Sequence, residues 1–222
     1  MSRIVQAAPA RANRVPCPQA TAIIGAMPAA PLANRYYALR HGQSEANVLG
    51  VIASLPARAR EGFGLTPAGG LQVEAAVRAL PDLDAAALIV SSDYARAAQS
   101  AAIAARVLAA RAPVRFDARL RERGFGGLEG ASDAHYAAIW ARDAVDPAHT
   151  HWGVESAQAV AARALALVRA LDGEHRGRTI LLVSHGDVLQ ILRAVLAGAG
   201  PAAHRRGTPI GTGSVIALAD RA

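Results

Sequence analysis

Three short apolar runs of this chain each end in a polar segment that contains arginine or histidine. The runs span residues 36–39, 87–90 and 179–183, and the segments that follow them are Arg40-His41-Gly42, residues 91–100 and Ser184-His185-Gly186. Apolar runs of this length, bounded by polar residues and glycine, are typical of buried strands in a parallel sheet. Open α/β sheets bind their ligands beyond the carboxyl ends of the strands. The pattern therefore predicts an α/β fold with one shared site at that edge.

Helical patterns lie between these runs and support the same fold. Thr66 and Pro67 predict the start of a helix, with threonine as N-cap and proline in the first turn. Other helices are expected over residues 94–110, 132–143, 155–171 and 187–196, and two more strands over 114–116 and 214–218. This alternation predicts a three-layer α/β/α sandwich with a mostly parallel sheet. We also expect a small helical cap over residues 124–153.

The length of 222 residues favours one domain over residues 35–222. Residues 1–34 are rich in alanine and proline, and we predict a disordered extension there. A cleaved signal peptide, a transit peptide or a mis-assigned start upstream of Met27 are the alternatives for this extension. The single cysteine, Cys17, lies within it and excludes an internal disulfide. We expect a cytoplasmic protein.

The formal charge of +7 is concentrated at the amino-terminal end of the chain. All 24 basic residues are arginine, and five of them precede Glu45, the first acidic residue; the remainder has 19 arginines against 17 acids. Such a balance is not the basic stripe of a nucleic-acid-binding protein, so we predict no nucleic-acid partner. No apolar run approaches the roughly 20 residues that cross a bilayer, so we expect no membrane partner. The oligomeric state is not indicated.

Two histidines and two arginines in the polar segments suit chemistry on phosphorus. A neutral imidazole such as that of His41 is a nucleophile when its other nitrogen is held as a donor. The planar forks of Arg40 and Arg96 match phosphate oxygens and keep their charge at neutral pH. A second histidine, His185, can donate to the phosphoryl oxygens as charge builds up in the transition state.

The remaining requirement is a group that protonates the leaving oxygen. Glu122, in the glycine-bearing segment 120–130, is the candidate, and Glu129 is its nearest rival. An alternative interpretation of Glu122 is an ion pair with Arg121 or Arg123 in a solvated loop.

In order and spacing, these motifs resemble those of the histidine phosphatase superfamily, in the branch that includes cofactor-dependent phosphoglycerate mutases and broad-specificity phosphatases. The resemblance covers residues 35–218. The matching positions are Arg40-His41-Gly42 with Ser44 and Asn47, then Ser91, Ser92 and Arg96, then residues 120–130, and finally Ser184-His185-Gly186. Asp93 stands where the family usually has proline.

The resemblance implies a role for each matching residue. It implies that His41 is the phosphorylated nucleophile, that Arg40 and Arg96 clamp the phosphate, and that His185 completes the pocket. Glu122 is then the general acid for the leaving group and afterwards the general base for water. Polar contacts are expected from Asn47 and the Gly186 backbone, and pocket-edge positions from Ser44 and Thr66. The implied activity is that of a histidine acid-type phosphatase, a phosphoric monoester hydrolase that acts on a small phosphorylated substrate without metal or cofactor.

The segment between Glu122 and Glu155 separates two activities within this resemblance. Phosphoglycerate mutases of the family carry a longer, base-rich insertion there, whereas this chain has only Arg123 and Arg142 as bases. The short segment favours a phosphatase. A mutase-type isomerase and a non-catalytic phosphate-binding module remain as alternatives, and the sequence does not name the substrate.

Several other polar and aromatic residues have a structural interpretation. Histidines 135, 149 and 151 are too loosely placed to predict a metal site. Trp140 is expected to pack over the pocket or to contact substrate, and Tyr136 to be structural. The pair Arg205-Arg206 is interpreted as surface charge.

Overall fold

The computed structural model describes residues 32–219, and a five-stranded sheet runs through its centre. The strands are β1 (Arg35–Arg40), β2 (Leu88–Ser91), β3 (Arg115–Phe116), β4 (Thr179–Ser184) and β5 (Val215–Ala219). Their spatial order is β3-β2-β4-β1-β5, and every pair is parallel except β1 with β5. The predicted mostly parallel sheet is thereby confirmed. Of the predicted disordered extension 1–34, residues 1–31, including Cys17, lie outside the described residues. Residues 32–34 are described, and there Asn34 is fully buried and donates from Nδ2 to Asp172 Oδ1 at 2.9 Å.

Seven α-helices accompany the sheet in residues 32–219. They are α1 (Glu45–Leu49), α2 (Pro56–Ala59), α3 (Pro67–Arg78), α4 (Ala95–Leu108), α5 (Tyr136–Asp143), α6 (Ala157–Glu174) and α7 (Gly186–Leu196). α1 and α2 were not predicted, because one or two turns are too short to show a hydrophobic period. None of the described helices is both long and apolar enough to cross a membrane.

The two faces of the sheet are covered by different helices. On β4, Ile180 and Leu182 pack against α6 and α7, whereas Leu181 and Val183 pack against α3 and α4. Alternate residues of a strand point to opposite faces, so the all-apolar run of β4 is explained by burial on both sides. This arrangement is the predicted three-layer α/β/α sandwich.

The cap over residues 124–153 has a small core of its own. It contains α5 and three 3₁₀ turns, and Phe125, Leu128 and Ile139 pack there with Ile52 and Val154. The predicted helix over 132–143 becomes α-helical only at Tyr136, after a 3₁₀ turn over Asp133–His135. Because Ile52 belongs to the loop after α1, the cap is held against the segment that follows the first strand.

Candidate active site

The carboxyl ends of β1, β2 and β4 meet at one edge of the sheet, as the register requires. The backbone N–H of His41 donates to Ser184 O at 3.0 Å, and that of Ser92 donates to Val183 O at 2.9 Å. A cavity of about 100 Å³ opens at this edge. The predicted site residues that line the cavity are Arg40, His41, Ser44, Asn47, Arg96, Glu122 and Gly186. His185 is fully buried and is not among the lining residues.

His41 is held as a neutral imidazole with a defined tautomer. Its Nδ1 lies 2.8 Å from Gly42 O, an acceptor, so the ring proton is on Nδ1 and the lone pair is on Nε2. Burial lowers the pKa of His41 well below its usual range, and the charges of Arg96 and Arg40 lower it further. Arg96 Nε donates to Nε2 at 3.2 Å. The nitrogen that carries the lone pair thus accepts a hydrogen bond from a guanidinium.

Arg40 and Arg96 are fixed by backbone carbonyls and still have unused donors. Arg40 Nη1 donates to Ile210 O at 2.8 Å, and Arg96 Nη2 donates to Ala53 O at 2.9 Å. Arg40 Nε and Arg96 Nη1 are buried and have no hydrogen-bond partner in the described part of the chain. A β-carbon on Gly186 would lie 3.2 Å from Arg40 Cζ, so glycine at this position leaves room for the Arg40 guanidinium. Buried donors without partners indicate an anion site.

His185 is the second neutral imidazole, and it is held by Ser92. Its Nε2 lies 2.9 Å from the Ser92 hydroxyl, which also accepts from Tyr94 N at 3.3 Å. The other ring nitrogen, Nδ1, is a buried atom without a hydrogen-bond partner in residues 32–219. Burial lowers the pKa of His185 well below its usual range, followed by the charge of Arg96. The two imidazole rings of His41 and His185 are 5.2 Å apart.

Glu122 is not paired with either flanking arginine side chain. Arg121 binds Asp93 through two hydrogen bonds of 2.7 and 2.6 Å, and Arg123 binds Asp143 through two of 2.6 and 2.8 Å. The ion-pair interpretation of Glu122 is therefore wrong.

The surroundings of the Glu122 carboxyl suit proton transfer. Burial and then the negative charge of Asp187 raise the pKa of Glu122 to about 7. Its Oε2 lies 3.9 Å from His185 Nδ1. A carboxyl with this pKa can both give and accept a proton near neutral pH.

Glu129, the rival for the acid role, organises a loop instead. Its Oε2 accepts hydrogen bonds from Ser54 N at 2.8 Å, Ser54 Oγ at 2.7 Å and Leu55 N at 3.1 Å. The carboxylate does not line the cavity.

Ser44 and Thr66, predicted at the pocket edge, and Asn47, predicted to make a polar contact, have local structural roles. Ser44 and Asn47 form a capping box at the start of α1, in which Asn47 Oδ1 accepts from Ser44 N at 3.0 Å. Both still line the cavity. Thr66 does not: its hydroxyl caps α3 by accepting from Gly69 N at 3.0 Å, and the residue lines a separate groove next to α1. The structure brings Ser44 and Asn47 to the site but not Thr66.

Other cavity residues were missed or interpreted differently from the sequence. Arg205 is not merely surface charge, since its guanidinium lies 3.5 Å over the Trp140 ring at the cavity wall. Asp187 and Gln190, on the first turns of α7, were not identified. Asp187 follows the Ser184-His185-Gly186 signature directly, and that position was the available signal.

No group of three or more histidine, cysteine, aspartate or glutamate side chains in residues 32–219 is placed to hold a metal ion. Of the three histidines considered above, His149 lies with its Nε2 at 3.0 Å from Asp143 Oδ1. None of the three lines the cavity.

Known families and structures agree with this geometry. The profile of the histidine phosphatase superfamily (branch 1) matches residues 36–219. No match was found among the curated proteins.

Similar solved structures include mycobacterial glucosyl-3-phosphoglycerate phosphatase in complex with VO3. It is 31% identical, with 82% of this chain and 90% of that chain covered and a TM-score of 0.68. The same phosphatase in complex with inorganic phosphate is 30% identical, covers 82% and 87%, and has a TM-score of 0.65. The YhfR protein of Bacillus stearothermophilus is 26% identical, covers 82% and 89%, and has a TM-score of 0.66. With its sheet, its strand-end motifs and this match over most of its length, the chain belongs to the histidine phosphatase superfamily.

Proposed function

We propose that the protein is a phosphatase that hydrolyses phosphomonoesters of small metabolites through a phosphohistidine on His41. The observation that carries the proposal is the set of unpaired buried nitrogens at the site. Arg40 Nε, Arg96 Nη1 and His185 Nδ1 are all buried without a partner among the described residues, and all belong to side chains grouped around His41. A phosphoryl group offers oxygens to the two arginine donors, and to His185 Nδ1 when that nitrogen carries the ring proton.

In the first step, His41 Nε2 attacks phosphorus and the bond between phosphorus and the ester oxygen breaks. Glu122, protonated in part near pH 7, gives its proton to the departing oxygen. The two arginines hold the phosphoryl oxygens, and His185 Nδ1 donates to the charge that develops on them. The step leaves an alcohol, a phosphohistidine and an ionised Glu122.

In the second step, water attacks phosphorus and the nitrogen–phosphorus bond breaks. Glu122, now a carboxylate, removes a proton from the water and returns to its starting state. Inorganic phosphate leaves, and His41 regains its neutral form with the lone pair on Nε2. Positive charge for both steps comes from Arg40 and Arg96, which are fixed by the fold, so the site stabilises the transferring group before the reaction starts.

The similar structures support both the substrate class and the reaction. Mycobacterial glucosyl-3-phosphoglycerate phosphatase, 30% identical, acts by its name on a small phosphorylated metabolite. It has been solved in complex with inorganic phosphate and with VO3. A mutase of the same family is the second candidate, but the short cap favours entry of water to the phosphohistidine and hence hydrolysis.

Phosphate release from p-nitrophenyl phosphate and a panel of alkyl phosphomonoesters, in buffer containing EDTA, tests the proposal. We expect the wild type to release phosphate, and His41→Ala to be slower by at least about a thousandfold because the nucleophile is lost. A phosphohistidine hydrolyses in acid, so the reaction with ³²P-labelled substrate is quenched at high pH to trap the intermediate.

Two other results would redirect the assignment. Turnover only with a bisphosphate activator, together with phosphoryl transfer between positions of one substrate, points to a mutase. Tight phosphate binding by a folded protein without turnover points to the binding module. Activity retained in His41→Ala contradicts the phosphohistidine mechanism.

A further inference from the structure

One side of the cavity is lined by residues that the two-step mechanism does not use. They lie on the first turns of α7, on the cap and on the segment after α7, and they are Trp140, Asp187, Gln190, Arg205 and Pro209. In the proposed mechanism Glu122 protonates the leaving oxygen; its Oε2 lies 3.9 Å from His185 Nδ1, and His185 directly precedes the helix that carries Asp187 and Gln190. We infer that this side faces the leaving group.

Gln190 presents an unused polar group to this side. Its side chain is 2% exposed and lines the cavity, and its Oε1 has no hydrogen-bond partner in residues 32–219. A buried amide without a partner costs free energy, so a ligand that supplies the hydrogen bond is favoured. A hydroxyl can do so for either orientation of the amide, because it both donates and accepts. A carboxylate or phosphate can only accept.

The charges of the cavity leave no cation for a second anionic group. Six charged side chains line it, three guanidinium groups and three carboxyl groups: Arg40, Arg96, Arg205, Glu122, Asp133 and Asp187. With Glu122 protonated for catalysis, the lining carries a net charge of one positive unit, which a phosphoryl dianion more than balances.

Arg205, the one guanidinium outside the phosphate clamp, is already committed. Its Nη1 lies 3.8 Å from Asp187 Oδ1, and its guanidinium lies on the Trp140 ring. Trp140 in turn stacks on Tyr136 and donates from Nε1 to Asp187 Oδ1 at 2.8 Å. A second anion would have to compete with Asp187 for this arginine.

We propose that Gln190 binds a hydroxyl of the leaving group, and that the substrates are phosphomonoesters of uncharged polyols or sugars. The inference rests on the proposed phosphatase function and names its substrate class. Gln190 is then a specificity-determining residue. It lies on α7 one helical turn after Gly186 and Asp187, which also line the cavity.

Three substrates separate the hydroxyl from the charge. Glycerol 3-phosphate carries two hydroxyls, n-propyl phosphate carries none, and 3-phosphoglycerate has a carboxylate in place of one hydroxymethyl group. For the wild type, we expect kcat/KM for glycerol 3-phosphate to exceed that of either analogue by about tenfold or more, because a buried polar group left unpaired penalises the wrong substrate.

Gln190→Met and Gln190→Glu test the residue itself. Methionine keeps the length and removes the hydrogen bond, so the ratio of kcat/KM for glycerol 3-phosphate to that for n-propyl phosphate should fall to near one. Glutamate keeps an acceptor, so this ratio should stay high while 3-phosphoglycerate becomes a still poorer substrate. Gln158→Met, on α6 and outside the cavity, is the matched control. A ratio measured on one preparation does not depend on the fraction of active enzyme.

The outcomes distinguish this inference from the proposed function. If the wild type hydrolyses p-nitrophenyl phosphate but shows no preference for glycerol 3-phosphate, or prefers 3-phosphoglycerate, the polyol site is refuted and the phosphatase function stands. A ratio that Gln190→Met leaves high also refutes it. If none of these esters is hydrolysed, the phosphatase function fails and the polyol site fails with it.

Discussion

The edge of the sheet and the cap divide the site between them, and they are built in different ways. At the sheet edge, Arg40, His41 and His185 follow directly on strands whose parallel register fixes their spacing. In the cap, α5 and three 3₁₀ turns pack on a small core of their own. The sheet edge thus holds the groups that we propose contact the phosphoryl group, whereas the cap contributes to the side that we propose faces the leaving group.

The two regions also bury charge differently. The arginines of the sheet edge keep donors free for an anion. Beneath the cap, Arg123 and Asp143 are fully buried and bind each other through two hydrogen bonds. Unused donors are what binding requires, while a fully satisfied buried pair fixes a structure. The unused donors for an anion and the paired guanidinium beneath the cap therefore belong to different arginines, although Arg123 Nη1 also donates to Asp187 Oδ2 at 3.4 Å.

Glu122→Gln is expected to give the largest effect, and one that depends on the leaving group. Without an acid, kcat/KM for an alkyl phosphate should fall by about 10²- to 10⁴-fold. The loss should be much smaller for p-nitrophenyl phosphate, whose leaving group needs no proton. His41→Ala is the control from the sheet edge and should remove both activities. Equal losses for the two esters in Glu122→Gln would place its role elsewhere.

Arg123→Met should break the cap without touching the phosphate clamp. Removing Arg123 takes two hydrogen bonds from the buried Asp143 and leaves that side chain beside His149 and His204 without a guanidinium partner, so the free energy of unfolding should fall by about 3 to 5 kcal/mol in urea denaturation. The double variant Arg123→Met/Asp143→Leu should recover most of that loss.

The matched control for this pair lies on the sheet. Arg115 on β3 pairs with Glu174 at 2.6 Å, and both side chains are exposed. Arg115→Met should therefore cost less than about 1 kcal/mol. Similar costs for Arg115→Met and Arg123→Met would contradict the contrast between surface and buried pairs.

Asp187→Asn should have the smallest effect, and it should appear as a pH shift. Asp187 raises the pKa of Glu122, which is about 7, so loss of its charge lowers that pKa. Glu122 then loses its proton at lower pH, and the decline of kcat/KM for alkyl phosphates above neutrality moves to lower pH. The loss at pH 8 should stay below about tenfold, because burial, the larger cause of the shift, remains.

The pH–rate profile measures this shift directly. Asparagine keeps an acceptor for the Trp140 Nε1 hydrogen bond, so the cap contact is retained. In Glu122→Gln the same decline above neutrality should be absent, which assigns it to Glu122. An unchanged profile in Asp187→Asn would show that Asp187 only supports the cap.

Much of the sheet edge could be predicted, because its signals are local. The run 179–183 and the following Ser184-His185-Gly186 are adjacent in the chain, and a parallel register then brings such segments together. Family resemblance singled out Glu122 over Glu129, and the cavity lining agrees with that choice. Thr66 shows the limit of such local signals. Its helix-capping role could be predicted from the sequence, but its position outside the cavity could not.

By itself, the sequence determined the layered fold and the order of the strand-end motifs along the chain. It also determined the candidate catalytic groups at His41, Arg40 and His185. Only the tertiary structure decided the surroundings of His185, the pKa of Glu122 and the residues on the side that we propose faces the leaving group. These depend on contacts between distant positions, such as Ser92 with His185 and Trp140 with Asp187, which lie 93 and 47 residues apart. Short-range periodicity does not predict such pairs, because they depend on how distant segments of the chain pack together.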